Sequence, residues 1–408
     1  MASGVPDLSR RGAFAGLWLF AAVACLSIAA QNVLFLGLAA WIALLWKQGR
    51  WPRPLPILWI WVLFVLWALA ASCYSDNAAH SLLTWKKWLL GFLILYIADA
   101  VESRRDLRAL LGATLFFGGL CCLGAVLWAL RGPLGSALPW REVLAQWPER
   151  GEWRAVSGSG GYMVLGSCSM LLLVFFLGLW IKDRSWRSPL ASLCLASLAL
   201  GLLMTQTRSA WLGAAAGGFA LLWSWRKGLA LALLGSALLL LLAFPNSPIS
   251  KRVRDGWDIN QNSTRERMFM FETGGAILRQ HPWLGVGDAL ESFDGHPGYY
   301  LQNFPQEHKD WESLRGKDEG HLHDNFLQVA VMYGLPALCL LLLFFGRMGL
   351  GMARDHGQLA GPAGAALLAW FVNGLFEYNF GSLQSSFLLW FLLGLYFAGV
   401  KLDESPAH

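Results

Sequence analysis

The chain alternates long apolar runs with short polar breaks. The runs fall near 14–30, 32–46, 55–72, 82–98, 107–130, 161–181, 188–205, 209–225, 228–245, 324–346, 359–376 and 381–400. Most have the length a helix needs to cross about 30 Å of hydrocarbon. The pattern therefore predicts an all-α polytopic membrane protein with about 12 transmembrane helices. Only Gln31 and Asn32 part the first two runs, which read as a tight helical hairpin. One stretch departs from the pattern. Residues 246–322 are hydrophilic yet keep anchors such as Trp257, Phe271, Trp283, Tyr299 and Trp311, so they are expected to form one large, partly helical loop domain and not a linker. The organisation expected is 1–245 for the first nine helices, 246–322 for the loop, and 323–408 for the last three helices and the C-terminus.

Within the loop, Thr264 to Gln280 reads as a helix, with Ser263 or Thr264 as N-cap and Met268, Phe271, Ile277 and Leu278 as its apolar positions. His281-Pro282 ends it, and Gly285-Val286-Gly287 makes a turn.

Composition agrees with the pattern: 56% of the residues are hydrophobic, 14% are charged, and 23 are tryptophan, which excludes an ordinary soluble domain. The formal net charge of +6 comes from basic residues in alternate loops: Arg10 and Arg11; Lys47, Arg50 and Arg53; Arg104, Arg105 and Arg108; Lys182, Arg184 and Arg187; Arg226 and Lys227; Arg347 and Arg354; and Lys401. Such loops stay in the cytoplasm. Both termini are thus expected there, with the 246–322 loop on the outer face. No basic stripe is interleaved with aromatics on a soluble module, so no nucleic-acid partner is expected. Six of the seven cysteines fall in the apolar runs and Cys73 at the end of one, without metal or redox spacing.

Candidate chemistry collects on the outer face in three places. Arg208, in the turn Thr205 to Trp211, holds a planar cation where phosphate oxygens can be gripped in pairs, although by itself it reads more simply as an interfacial arginine reaching for head groups. Arg265 and Arg267 fall in the first turn of the expected loop helix, where the macrodipole disfavours cations, which suggests an anionic partner. His321, His323, Asp324 and Asn325 stand at the mouth of an apolar helix. Asp324 or Asn325 caps that helix in the simplest reading, while a histidine is suited to act as general base. The His321/His323/Asp324 string lacks a metal-binding spacing and has no third histidine close by, so no metal is expected.

Taken together, these clusters resemble the O-antigen ligases of the bacterial O-antigen ligase and polymerase superfamily. The resemblance rests on Arg208 in TQTRSAWLG, on Arg265 and Arg267 in STRERMFMF followed by HPWLGVG, and on His323 in HDNFLQVAVMYGLPAL, where Asp324 replaces the usual asparagine. It implies a glycosyltransferase of lipopolysaccharide biosynthesis in the bacterial inner membrane, with a periplasmic active site. Polysaccharide would pass from undecaprenyl pyrophosphate to a sugar of lipid A-core, without metal or other cofactor and with inversion. The implied roles are His323 as base and Arg208, Arg265 and Arg267 as pyrophosphate clamp. Lys251, Arg252 and Arg254 would meet the phosphorylated core or lipid head groups. Glu377 would pair with an arginine or organise the acceptor, Asp324 would assist substrate binding, and His321 would orient or shield His323, with only one of the two serving as base. O-antigen polymerases and protein O-oligosaccharyltransferases use the same donor, and nothing here reads the acceptor. A lipid-linked glycan transporter is the different class, but it calls for charges or broken helices at mid-membrane, whereas here the polar groups gather at the rim.

Overall fold

The computed structural model describes residues 8–23, 30–49, 52, 55–75, 77–134, 154–156, 161–254, 256, 258, 262–288 and 321–404. Helix covers all twelve apolar runs in whole or in part, and no strand occurs among the described residues. The expectation of about twelve spans is met less fully. Five stretches are long and apolar enough to cross a membrane: Ala78–Ala100, Arg104–Arg131, Gly161–Lys182, Asn325–Arg354 and Leu383–Glu404. Leu58–Tyr74, Pro189–Thr205 and Lys227–Ala243 are apolar but shorter; a 17-residue helix rises only about 26 Å. Of the expected loop domain, residues 289–320, which include Phe293, Tyr299, Tyr300 and Trp311, lie outside the described residues, as does Trp257.

The run expected as one helix over 82–98 is instead three pieces: Ala78–Trp85, a 3-10 stretch Lys86–Phe92, and Leu93–Ala100. Trp61 explains the change. Its Nε1 donates to the Trp88 carbonyl at 3.1 Å, the group an α-helix reserves for the amide four residues on. Gly91, lacking a side chain, leaves room for the same indole. Trp61, Trp88, Phe344 and Trp390 then pack ring against ring at the centre of the bundle.

Two helix pairings set the height of the polar residues. In Arg208–Trp225, Gly213 and Gly217 stand four apart, the small-residue spacing that lets helices approach closely. A Cβ on Gly213 would meet the Ala369 carbonyl at 2.6 Å, and one on Gly217 the Ala365 carbonyl at 2.6 Å. The helix therefore lies backbone to backbone and antiparallel with Ala360–Gly374, which brings Arg208 level with the residues just beyond that partner, where Glu377 stands.

The second pairing involves a broken helix. Within Asn325–Arg354, Gly334 adopts φ 83° and ψ 171°, and Pro336 follows. Proline has no amide to give to Met332, and the break also frees the carbonyls of Val331 and Tyr333 and the amide of Leu335. Each finds a partner elsewhere. The Val286 amide donates to Val331 O and the Gly287 amide to Met332 O, both at 2.9 Å, while the Leu335 amide donates to Pro282 O at 2.8 Å. Trp67 Nε1 donates to Tyr333 O at 2.9 Å. The HPWLGVG segment thus supplies the hydrogen bonds that the helix loses, about 14 Å along from Asn325. The same docking seats the preceding loop helix, Asn262–Gln280, whose Met270 and Ile277 bury against Leu322 and Val331.

Replacing Gly334 by alanine would drive a Cβ into the Trp283 backbone at a left-handed φ, a strain on the order of 1–3 kcal/mol. Gly346→Ala, in the same helix with open space around it, serves as control. Thermal unfolding of the purified protein should show a lowered midpoint for the first and none for the second; equal midpoints would contradict the docking.

Candidate active site

The two histidines flank Leu322, which is fully buried. Its amide donates to Gln328 Oε1 at 2.7 Å, tying the turn to the first helical turn beyond it. Asp324 is the N-cap of that helix and accepts from the amides of Phe326 and Leu327, both at 2.7 Å. Burial pushes its carboxyl upward, while those two amides pull it down less strongly. With Leu322 turned inward, His321 and His323 share the other side, their ring centroids 4.4 Å apart. Both rings therefore lie on one side of the turn. Residues i and i+2 of an extended stretch share a face, and His323, at φ 50°, keeps its ring beside that of His321.

Glu377 receives both rings. Its Oε1 lies 3.5 Å from His323 Nδ1 and 3.9 Å from His321 Nε2. Desolvation pushes this buried carboxyl up, but the two imidazoles outweigh it and hold it at about 2, so it is ionised at neutral pH. Its pairing is thus with histidine, not with the arginine considered from sequence. The carboxylate sits on a stiff support. Asn379 Oδ1 accepts from Ser167 Oγ at 2.9 Å and from Asn373 Nδ2 at 3.3 Å, Phe380 N donates to Asn325 Oδ1 at 3.2 Å, and Ser385 and Ser386 both donate to the Asn379 carbonyl. Glu377 Oε2 has no hydrogen-bond partner among the described residues.

This arrangement overturns one ground for expecting no metal. The third ligand type comes from Glu377, far away in sequence, and the three donor atoms lie within 4.8 Å of one another. A His–His–carboxylate set with an open side can hold a divalent ion. The same set can equally work as a carboxylate-oriented base, because Glu377 beside Nδ1 orients the His323 imidazole and stabilises it when it takes a proton.

Arg208 begins its helix after the N-cap Thr207, which follows the left-handed Gln206 at φ 54°. Arg252 Nε donates to the Gln206 carbonyl at 3.3 Å, and Gly256 packs against Arg208, a Cβ there falling 3.2 Å from Nη1. On the other side the Ala155 amide donates to Met204 O at 3.0 Å, and Arg154 stacks over Tyr162 at 4.5 Å. Three arginines, 154, 208 and 252, thus gather around one turn. The turn is joined to the Glu377 loop through the 161–182 helix, whose Gly166 packs on Thr205 and Thr207 while Ser167 bonds Asn379.

The other sequence candidates divide. Arg252 joins Arg208, but Arg254 is tied to the Pro245 carbonyl at 2.8 Å and stays with Lys251 on the short helix Pro248–Arg254. The loop helix begins at Asn262, two residues earlier than expected, which moves Arg267 beyond its first turn; the dipole argument therefore no longer reaches it. Arg267 continues the face of Met270, Gly274 and Ile277 that packs against the histidine end. The side chains of Arg265 and Ser263 lie outside the described residues. Sequence reasoning missed Arg154, which nothing local marks. It also missed Lys87, whose Nζ donates to Tyr378 OH at 2.7 Å, next to Glu377. A cation inside an apolar run is a signal that would have found Lys87.

The cap assigns Asp324 a structural role that asparagine can fill. Asp324→Asn should melt at or above the wild-type temperature at neutral pH, having no charge to desolvate, while Asp324→Ala should lose about 1 kcal/mol. If asparagine behaved like alanine, the carboxylate would be acting outside the cap.

Residues 191–342 match the family model described as O-antigen ligase, and no curated protein matches the chain. The matched region spans Arg208, the loop helix, HPWLGVG and His323, and stops short of Glu377. Residues 191–342 thus carry an O-antigen ligase domain.

Proposed function

We propose that the protein is a membrane-embedded glycosyltransferase that moves a polysaccharide from undecaprenyl pyrophosphate onto a sugar hydroxyl of lipid A-core at the periplasmic face of the inner membrane. The observation that carries this reading is the buried His323 backed by Glu377, level with Arg208, in a chain whose residues 191–342 match the O-antigen ligase model. His323 takes the proton of the acceptor hydroxyl, and Glu377 steadies the imidazolium that results. The acceptor oxygen attacks the anomeric carbon as the bond from that carbon to the pyrophosphate oxygen breaks. The electron pair leaves with undecaprenyl pyrophosphate, and the configuration inverts. Arg208 and Arg252, with Arg265 and Arg267 from the loop helix, stabilise the departing diphosphate, whose charge grows in the transition state. A site at the rim suits two substrates anchored in the outer leaflet.

Transfer by purified protein between lipid-linked glycan and lipid A-core, with EDTA present, tests the reading. His323→Ala should lose roughly 10²–10⁴-fold in kcat, and Glu377→Gln should lower kcat with little change in either KM. Arg208→Ala should remove most activity, and lysine should restore it only in part, because the paired geometry is lost. If EDTA abolished transfer, the His–His–Glu set would instead be assigned to a bound divalent ion. Extension of the lipid-linked glycan with no transfer to lipid A-core would make the protein a polymerase.

A further inference from the structure

A second cation stands on the other flank of the Glu377 loop. From that loop, Asn379 reaches Ser167 and hence the Arg208 turn, whereas Tyr378 reaches Lys87. Lys87 is half-buried on the 3-10 stretch, its Nζ 5.1 Å from the Tyr378 ring centre and 5.8 Å from that of Trp88. No carboxylate lies within ion-pair distance of it among the described residues. Tyr378 is buried, with its ring 5.8 Å from that of His321. Trp88 Nε1 donates to Tyr333 OH at 3.0 Å and its carbonyl accepts from Trp61, so the stretch bearing Lys87 is fixed from both sides.

An ammonium withdrawn from water without a counter-charge is costly. One held against the tyrosine whose ring packs near His321 is the kind of group that an anionic substrate completes. The arginines around the 204–208 turn already suit the diphosphate of the donor. A cation across the loop from them therefore faces a different anion.

We infer that Lys87 and Tyr378 form a second oxyanion subsite, which takes a phosphate group carried by the acceptor glycolipid and so places its hydroxyl over His323. The inference rests on the transferase reading above. Lys87 supplies charge, and Tyr378 OH, which accepts from Lys87 and donates toward Met332 Sδ at 3.8 Å, turns its proton to the phosphate as a directed hydrogen bond. No bond is made or broken at this subsite, so its effect belongs to acceptor binding and not to the chemical step.

The test uses full-length purified protein and the variants Lys87→Met, Lys87→Arg and Tyr378→Phe, each first checked for thermal stability. With native lipid A-core, Lys87→Met should raise the acceptor KM about tenfold and leave the donor KM unchanged, and Lys87→Arg should recover most of the loss. With acceptor stripped of its phosphates, wild type and Lys87→Met should become alike. A rise in donor KM instead, the same penalty on the dephosphorylated acceptor, or a folded Lys87→Met equal to wild type would each overturn the subsite. A binding measurement keeps this judgement separate from turnover. The thermal shift caused by lipid A-core should be lost in Lys87→Met, while the shift caused by undecaprenyl pyrophosphate persists. Wild type that binds the acceptor in this Lys87-dependent way yet transfers nothing would sink the ligase reading alone, whereas wild type showing no acceptor shift would sink the subsite.

Discussion

The helix starting at Asn325 cannot run straight through, because Gly334 is left-handed and Pro336 has no amide, and in a medium without water every freed backbone group must be matched by protein. The HPWLGVG segment meets that demand through Val286, Gly287 and Pro282, and Trp67 meets the remainder. Much else depends on this exchange. It pins the end of the loop helix to the membrane bundle, it buries Leu322 under Met270 and Ile277, and it leaves His321 and His323 no side to occupy except the one facing Glu377. A helix continuous at this point would offer no acceptors to the loop. The arginine-bearing helix would then be tethered only by its chain ends.

A second constraint acts from the opposite wall. The Gly213 and Gly217 face brings two helix backbones together and so fixes the height of Arg208 relative to the turn after Ala360–Gly374. That turn is not held by apolar packing alone. Ser167, Asn373 and Asn379 bond one another beneath it and Asn325 accepts from the Phe380 amide, which anchors the turn at several points while Asn325 Nδ2, Asn373 Oδ1 and Asn379 Nδ2 stay without a partner among the described residues. Glu377 is presented from a turn held by these bonds. Its low carboxyl value expresses the same fact as energy: the field of two imidazoles exceeds the cost of desolvation.

Cations and base occupy different elements and meet only at the rim. Arg208 and Arg252 come from the chain on either side of the Lys227–Ala243 helix, Lys87 from a 3-10 stretch, and the histidines from the loop's return into the bundle. Under the function proposed above, such a division would let one surface take two lipid-anchored molecules side by side, with the proton acceptor between their charged groups. It also explains why a metal-capable donor set and a base–carboxylate pair coincide here, since both need a buried imidazole held against a carboxylate.

The sequence by itself determined where helices form, because apolar run length is read directly against the thickness of hydrocarbon. It also marked the 204–208 turn, the loop helix and the HLHDN junction as candidates for polar chemistry. The cap at Asp324 was legible for the same local reason: a short acidic side chain just before a helix reaches the free amides of its own first turn. What depends on contacts between distant residues was not legible. The 3-10 stretch at Lys86–Phe92 follows from an indole reaching across from Trp61. The convergence of Arg154 and Arg252 on Arg208 follows from how two loops fold back. The partnership of Glu377 with both histidines spans more than fifty residues of chain, and only packing decides it. Hydropathy encodes the solvent each segment prefers, but the pairing of polar groups at the rim is set by close helix approach and by the need to match every buried hydrogen-bonding group, and those conditions exist only once the bundle has closed.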